Sequence, residues 1–175
     1  MPTIYIETYG CQMNVADSEL MLGVLRREGY VRTDDPAAAD VLLVNTCAVR
    51  DHAEQRVLGR MGELKGYKRP GGVLGVVGCM AQRLGPRLLE RVPQVDLVVG
   101  PDGYRSLPEL IARARSGERA AEVEFKSWEH YEDVPPVHER SVSAFVTVST
   151  LPSVSNGMAP PVREIASRNG PSAAR

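Results

Sequence analysis

The chain has 175 residues, of which 43% are hydrophobic and 25% charged, with 21 basic and 22 acidic residues and a net charge of −1. This composition is typical of one globular domain with enough apolar material for a core, and it excludes both a disulfide scaffold and an overall basic surface for nucleic acid. Because no apolar run could cross a bilayer and no signal peptide is present, we expect a cytosolic protein whose cysteines stay reduced.

The first part of the chain is predicted to alternate strands and helices. Thr3–Tyr9 is rich in β-branched and aromatic residues and predicts a strand. A helix capped by Asp17 or Ser18 should follow and end at Gly29. Asp40–Asn45 is a continuous apolar run, which is typical of a strand buried on both faces.

The same alternation continues to about residue 126. Further strands are predicted at Gly72–Val77, at Val95–Val99 and, as an edge strand, at Val123–Phe125. Further helices are predicted from Arg50 to Lys65, in a short segment starting near Pro86, and from a capping box at Ser106–Glu109 to Gly117. Repeated β-α units with short connections predict an α/β domain: a parallel sheet of about four to five strands flanked by helices, Rossmann- or flavodoxin-like.

The composition changes after this domain. We assign residues 1–126 to the domain, 127–149 to a linker that leads into a new strand, and 150–175 to a tail. The tail is rich in Ser, Pro, Ala, Gly and Arg, so it can bury little apolar surface and is expected to be disordered.

Cys11, Cys47 and Cys79 each follow a predicted strand closely. The carboxyl ends of parallel strands lie at one edge of a sheet, so the three thiols should meet there, next to helix N-termini that favour negative charge. Three soft thiolates suit an iron–sulfur cluster with one iron left open, whereas structural zinc prefers four ligands. The alternative is three buried core cysteines, because free cysteine is often buried.

Three motifs then carry a resemblance to a known family. They are Glu7-Thr-Tyr-Gly-Cys-Gln-Met-Asn14, Asn45-Thr-Cys-Ala-Val-Arg50 with Ala53-Glu-Gln55, and Gly78-Cys-Met-Ala-Gln-Arg83. In this order they resemble the N-terminal domain of the methylthiotransferases, and most closely the branch that adds a methylthio group to C2 of N6-isopentenyladenosine at tRNA position 37. The resemblance extends from about Thr3 to Thr147.

The resemblance implies a role for each cysteine. Cys11, Cys47 and Cys79 match the ligands of an auxiliary [4Fe-4S] cluster whose open iron carries the sulfur delivered to the product. Asn14 and Asn45 would position the cluster loops or only cap local turns. Three polar residues are candidates to line the open-iron side: Gln12, Thr46 and Gln82. No catalytic residue is assigned.

Complete members of the family continue into a radical S-adenosylmethionine barrel that holds a second [4Fe-4S] cluster on a Cys-x-x-x-Cys-x-x-Cys motif. Here no cysteine follows Cys79, and the resemblance stops near Val148. We expect a truncated or frameshifted reading of a longer gene, monomeric and inactive alone, with tRNA contacted through the missing domains and a separate sulfur donor. The alternatives are a non-catalytic iron–sulfur or metal-binding remnant and a flavodoxin-like binding domain.

Other side chains favour local roles. The basic residues of the second predicted helix and its exit could face tRNA, but Glu54 and Glu63 indicate a balanced, solvated helix face. These basic residues are Arg56, Arg60, Lys65, Lys68 and Arg69. The three histidines are interpreted as surface or linker residues: His52, His130 and His138. Trp128 and Tyr131 are expected to pin the linker to a neighbouring domain. No glycine-rich phosphate loop is present.

Overall fold

The computed structural model describes residues 1–47 and 51–125, together with residues 131, 133, 134 and 137. Over these residues strands and helices alternate along the chain. The strands are β1 (Thr3–Tyr9), β2 (Val31–Arg32), β3 (Val41–Thr46), β4 (Val73–Gly78), β5 (Leu97–Val99) and β6 (Ala120–Glu122). The α-helices are α1 (Gln12–Arg27), α2 (Asp51–Leu64), α3 (Cys79–Leu84), α4 (Arg87–Arg91) and α5 (Leu107–Arg115).

The six strands form one parallel sheet in the order β2-β1-β3-β4-β5-β6. This confirms the predicted α/β class and its parallel sheet. The chain steps outward from β1 to β2 and then returns to β3 on the other side of β1. Beside β1 the direction of winding therefore reverses, and in open parallel sheets such a switch point leaves a crevice outside the strand ends where ligands bind.

Two apolar layers cover the sheet, one on each face. Helices α1 and α5 pack on one face, where Met21, Leu25 and Ile111 are fully buried. Helices α2, α3 and α4 pack on the other face. Alternate residues of β3 point to opposite layers, so Leu43 lies in the first and Leu42 in the second. The continuous apolar run of β3 is explained by this burial on both faces.

Helix α1 begins earlier than predicted. Its N-cap is Cys11, whose backbone N–H donates to Asn14 Oδ1 at 3.2 Å, and the predicted caps Asp17 and Ser18 lie inside the helix. The cap prediction was wrong because Asn14, in the first turn of α1, supplies the side-chain acceptor at the helix start. Ser18 instead donates its hydroxyl to the Asn14 carbonyl at 3.0 Å.

The predicted capping box at Ser106 is also wrong. The 3-10 helix Pro101–Ser106 runs directly into α5, and the Ser106 side chain makes no capping hydrogen bond. Its backbone is already helical, so the free N–H groups that a cap would serve are not exposed there. Pro108 does lie in the first turn, and Gly117 follows the helix with a positive φ of 91°.

Other boundaries moved by a few residues. The edge strand β6 is Ala120–Glu122 rather than Val123–Phe125. The short helix predicted to start near Pro86 is α4, whereas α3 was not predicted. The two-residue strand β2 was not predicted, because two residues carry no readable alternation.

Four residues after position 125 are described, and they pack back on this domain. The Tyr131 ring packs in a tilted orientation against Tyr104, with 6.2 Å between ring centroids, and its hydroxyl donates to Pro101 O at 3.0 Å. Val134 is buried, and Val137 N–H donates to Glu19 O at 3.2 Å. Tyr131 therefore contacts its own domain, whereas Trp128, His130, His138 and the predicted tail at 150–175 lie outside the described residues.

Candidate functional site

Three residues, one from each of β1, β3 and β4, are paired in a row across the sheet, and a cysteine comes after each of them in the chain. Tyr9 pairs with Thr46, and Thr46 pairs with Gly78. Cys47 and Cys79 come directly after their members of this row, and Cys11 comes two residues after Tyr9. Cys47 N–H donates to Tyr9 O at 3.1 Å, which extends the β1–β3 pairing to the cysteine itself. The structure therefore brings all three cysteines to the carboxyl edge of β1, β3 and β4, beside the switch point.

Two glycines allow the cysteine segments to approach one another. Gly10 has φ 148°, and a β-carbon there would lie 2.8 Å from Cys47 Cβ. Gly78 has φ 92°, and a β-carbon there would lie 2.5 Å from Asn45 Oδ1 and 2.7 Å from Thr46 O. Real β-carbons do not come so close to other atoms. Glycine is thus required at both positions, by conformation and by space.

A buried hydrogen-bond network lies beneath the cysteines. Asn14 Nδ2 donates to Asn45 Oδ1 at 3.3 Å, and Asn45 Nδ2 donates to Asn14 O at 2.7 Å and Ser18 Oγ at 2.9 Å. The hydroxyls of Ser18 and Thr8 share a hydrogen bond of 2.7 Å. Asn14 Oδ1 also faces the Cys11 thiol at 3.6 Å. The network connects α1 to β3 directly below the thiols.

The thiols are accessible rather than buried. Cys11 and Cys79 are exposed, Cys47 is half-buried, and all three are free. The interpretation as core cysteines is therefore wrong. The pKa of the Cys79 thiol is raised, first by its partial burial and then by the nearby negative charges of Asp17, Cys47 and Cys11. Cys79 thus lies within electrostatic range of the other two thiols and of one carboxyl group.

No role at the site was predicted from the sequence for that carboxyl group, Asp17, or for its partner, Tyr104. Tyr104 Oη donates to Asp17 Oδ2 at 3.3 Å, and Tyr104 is almost wholly buried. Burial raises the pKa of Asp17 to about 6, although the hydrogen bond from Tyr104 lowers it. Asp17 lies one helical turn after Asn14, which was a signal that it faces the same side of α1. No local pattern could have indicated Tyr104.

The three polar residues predicted as candidates for the open-iron side lie in different environments. Thr46 is fully buried and its hydroxyl donates to Val77 O at 3.1 Å, so it faces the interior of the sheet. Gln82 donates to Val123 O and packs against Gly100, so it holds α3 against the sheet. Only Gln12 is exposed, in the first turn of α1.

Two of the basic side chains weighed as a tRNA surface are engaged in ion pairs. Arg60 Nε lies 3.0 Å from both carboxylate oxygens of Glu7, and Arg60 also pairs with Glu63. Lys68 Nζ lies 2.7 Å from Asp96. This agrees with the expectation of locally balanced charge, with Glu7 as a partner that the sequence did not indicate. The side chain of His52 lies outside what the structure describes.

A cavity of about 460 Å³ lies away from the cysteines. It is lined by residues that include Asp40, Gly71 and Arg115, at the amino edge of the sheet. Among the described side chains, no three histidine, cysteine or acidic groups are arranged around one point as ligands of a single metal ion. Nor is any helix in the described ranges long and apolar enough to traverse a bilayer.

Comparison with known proteins identifies the family. Residues 3–100 match the model of a family described as "Uncharacterized protein family UPF0004". The chain is 48% identical over 149 residues to a tRNA-2-methylthio-N(6)-dimethylallyladenosine synthase of Amoebophilus asiaticus and 49% identical over 149 residues to that of Geobacter sulfurreducens. It is 45% identical over 153 residues to the human mitochondrial tRNA methylthiotransferase CDK5RAP1.

Each of these matches covers 83% of this chain but only 31%, 33% and 26% of the respective relative. The chain thus spans about a third of the length of the curated relatives it matches. Taken with the three motifs and the sheet that carries them, these matches show that the chain belongs to the UPF0004 family, the N-terminal domain of the methylthiotransferases.

Proposed function

We propose that this chain is the cluster-binding part of an enzyme that methylthiolates C2 of N6-isopentenyladenosine at tRNA position 37. Cys11, Cys47 and Cys79 would hold an auxiliary [4Fe-4S] cluster. The observation that supports this most directly is the paired row Tyr9–Thr46–Gly78, because it delivers three thiols from distant parts of the chain to one edge. The activity named for its relatives, tRNA-2-methylthio-N(6)-dimethylallyladenosine synthase, supports the tRNA substrate.

The donor set fits such a cluster better than a single ion. Thiolates select iron–sulfur clusters and soft metals over hard cations. Each thiol of a four-iron cluster binds a different iron, so its ligands stand farther apart than the ligands of one ion. Three cysteines at one edge of the sheet can supply ligands to three irons of such a cluster and leave the fourth iron open.

The local backbone also favours anionic sulfur. Cys11 is the N-cap of the 16-residue helix α1. Helix N-termini carry partial positive charge and stabilise thiolates. The three cysteines would hold the cluster and leave the solvent side of Cys11 and Cys79 open for approach. When bound, the cluster would supply the sulfur that is transferred.

The remaining chemistry would belong to other segments. Activation of an aromatic C–H requires a radical, which a cofactor must supply. We place S-adenosylmethionine and a second [4Fe-4S] cluster on segments outside this domain, along with the main tRNA contacts, and we expect a separate sulfur donor. The three free thiols favour a reducing compartment such as the cytoplasm.

Anaerobic reconstitution of the purified chain with iron and sulfide tests the proposal. We expect about four irons per chain and a broad visible absorption band, both lost in Cys47→Ala. Thr46→Val is the matched control, since it changes the neighbouring buried residue of β3 and removes no thiol. A folded chain with reduced thiols that takes up no iron would contradict the proposal.

A second assay tests whether the methylthiolation of tRNA requires segments outside this chain. The reconstituted chain would be incubated with S-adenosylmethionine, a reductant and tRNA that contains N6-isopentenyladenosine. We expect no methylthiolated nucleoside in the digested tRNA. Its formation by this chain would show that the radical chemistry does not need another segment.

A further inference from the structure

We propose that Asn45 is the positioning residue of the cysteine site: one buried side chain braces all three cysteine-bearing segments and sets the spacing of the thiols before any metal binds. The use of that spacing rests on the proposed function, whereas the spacing itself is a property of the apo chain. Asn45 is suited to this role because it lies on the central strand β3 and is fully buried.

The first segment is the N-terminus of α1. Asn45 Nδ2 donates to Asn14 O at 2.7 Å and to Ser18 Oγ at 2.9 Å, while Asn45 Oδ1 accepts from Asn14 Nδ2 at 3.3 Å. Asn14 Oδ1 in turn accepts the backbone N–H of Cys11 at 3.2 Å. The Asn14 amide therefore connects Asn45 to Cys11.

The second and third segments meet the same side chain. Cys47 follows Asn45 by two residues on the same chain, where its N–H continues the pairing with β1. Gly78, which precedes Cys79, packs so closely on Asn45 Oδ1 that a β-carbon would lie 2.5 Å from that oxygen. The amide thus limits how near the turn of Cys79 can come to β3.

The chemistry of the amide explains why no other side chain would serve. Both N–H groups of Asn45 are used and its oxygen accepts one hydrogen bond, so the orientation of the amide is fixed. A carboxylate would place an acceptor against the Asn14 carbonyl, and an apolar side chain would leave buried polar groups of α1 unpaired. We therefore expect even a substitution of nearly the same size, Asn45→Asp, to disturb the spacing of the thiols.

Thiol bridging in the apo chain tests the brace without any metal. Dibromobimane becomes fluorescent when it links two thiols, and mass spectrometry of the digest identifies which pair was linked. Monobromobimane measures the reactivity of each single thiol for normalisation. In the reduced wild-type chain we expect bridged pairs that include Cys11–Cys47.

For Asn45→Ala and Asn45→Asp we expect the normalised bridging rate to fall about fivefold or more for every pair. Asn14→Ala keeps the backbone carbonyl that Asn45 binds but removes the contact with Cys11. It should therefore slow only the pairs that contain Cys11. Thr46→Val should bridge like the wild type. Circular dichroism identifies the variants that remain folded.

Three outcomes would overturn the proposal. They are wild-type thiols that do not bridge, folded Asn45 variants that bridge at the wild-type rate, and a uniform slowing in Asn14→Ala if the Asn45 variants do not fold. The proposed function can fail separately, since a wild-type chain that bridges normally but takes up no iron would retain the brace and lose the cluster.

Discussion

Tyr104 and Asp17 are 87 residues apart in sequence, yet the phenol oxygen donates to the carboxylate Oδ2 at 3.3 Å. The pair joins α1 to the 3-10 helix Pro101–Ser106, and it lies within electrostatic range of Cys79. The raised pKa of Asp17, about 6, follows mainly from its burial. The site therefore contains an acidic group whose charge changes near neutral pH.

Asp17→Asn should stabilise the chain at pH 8. Because the folded pKa of about 6 exceeds the unfolded value of 3.8, the folded state binds protons more tightly, and stability falls as pH rises from about 4 to 6. Removing the charge should recover about 3 kcal/mol at pH 8 and nothing below pH 4. Urea unfolding of the wild type and the variant over this range measures the difference.

Asp40→Asn is the control of opposite sign. A hydrogen bond from the Thr3 backbone N–H, with a second from the Thr3 hydroxyl, holds the pKa of Asp40 below its usual value. The charge of Asp40 therefore contributes stability that is present above pH 4 and lost as pH falls. The amide should therefore destabilise the chain at pH 8. If both variants shift stability in the same direction, the electrostatic explanation for Asp17 is wrong.

Asp17→Asn should also make Cys79 more reactive. The carboxylate raises the pKa of the Cys79 thiol, second only to burial, and the thiolate is the form that reacts. We expect alkylation of Cys79 by iodoacetamide at pH 7.5 to accelerate about threefold. Peptide mass spectrometry follows the rate, with Cys11 in the same digest as the internal reference. An unchanged ratio of Cys79 to Cys11 alkylation would contradict this.

Gly78→Ala should cost much more stability than its conformation alone predicts. Gly78 and Gly71 both have positive φ, 92° and 75°, but a β-carbon at Gly71 would meet no atom within 4 Å. We expect a loss of about 1 kcal/mol for Gly71→Ala and about 3 kcal/mol or more for Gly78→Ala. Thermal and urea unfolding measure both. Equal losses would show that the chain can move the new β-carbon away from Asn45 and Thr46 without a further loss of stability.

Arg60→Met should destabilise the contact between α2 and β1. Burial raises the pKa of Glu7, but hydrogen bonds from Arg60, Tyr9 and Tyr5 outweigh it and lower the pKa. Without Arg60 the partly buried carboxylate loses its main partner, at a cost of about 1–2 kcal/mol at pH 7.

The same substitution should shift the acid limb of unfolding. Because the folded pKa of Glu7 is depressed, its stabilising effect is present above the unfolded pKa and lost as pH falls. In Arg60→Met that loss should begin at higher pH. Glu63→Gln removes only the exposed partner of Arg60 and should cost less than about 0.5 kcal/mol. A similar cost for both variants would sink the role assigned to Glu7.

The sequence predicted the parts of the fold that depend on local pattern. The apolar runs of β3 and β4 and the aromatic, β-branched β1 are read directly from their residues, and the position of each cysteine after a strand follows from them. Parallel pairing then places those cysteines at one edge. The edge location of the site was therefore predictable before its geometry was known.

The remaining features depend on contacts between distant residues. Asn14, rather than Asp17 or Ser18, serves the start of α1 by accepting the Cys11 N–H, and its second contact, with Asn45, forms only in the folded chain. Ser106 lost its cap role to a preceding 3-10 helix. The Tyr104–Asp17 pair joins segments that share no sequence pattern, so no local signal could indicate it.

The amino edge of the parallel sheet lies far from the cysteines, so changes there need not affect the thiols. The turn that enters β4, which includes Gly71, lies at the amino edge, and the six residues of β4 place it about 20 Å from Cys79. A β-carbon at Gly71 meets open space. An affinity peptide or fluorescent protein inserted beside Gly71, or new termini made there by circular permutation, would leave the thiol edge untouched. The chain can thus be tethered to a surface by one end of its sheet while the cysteines face the solution.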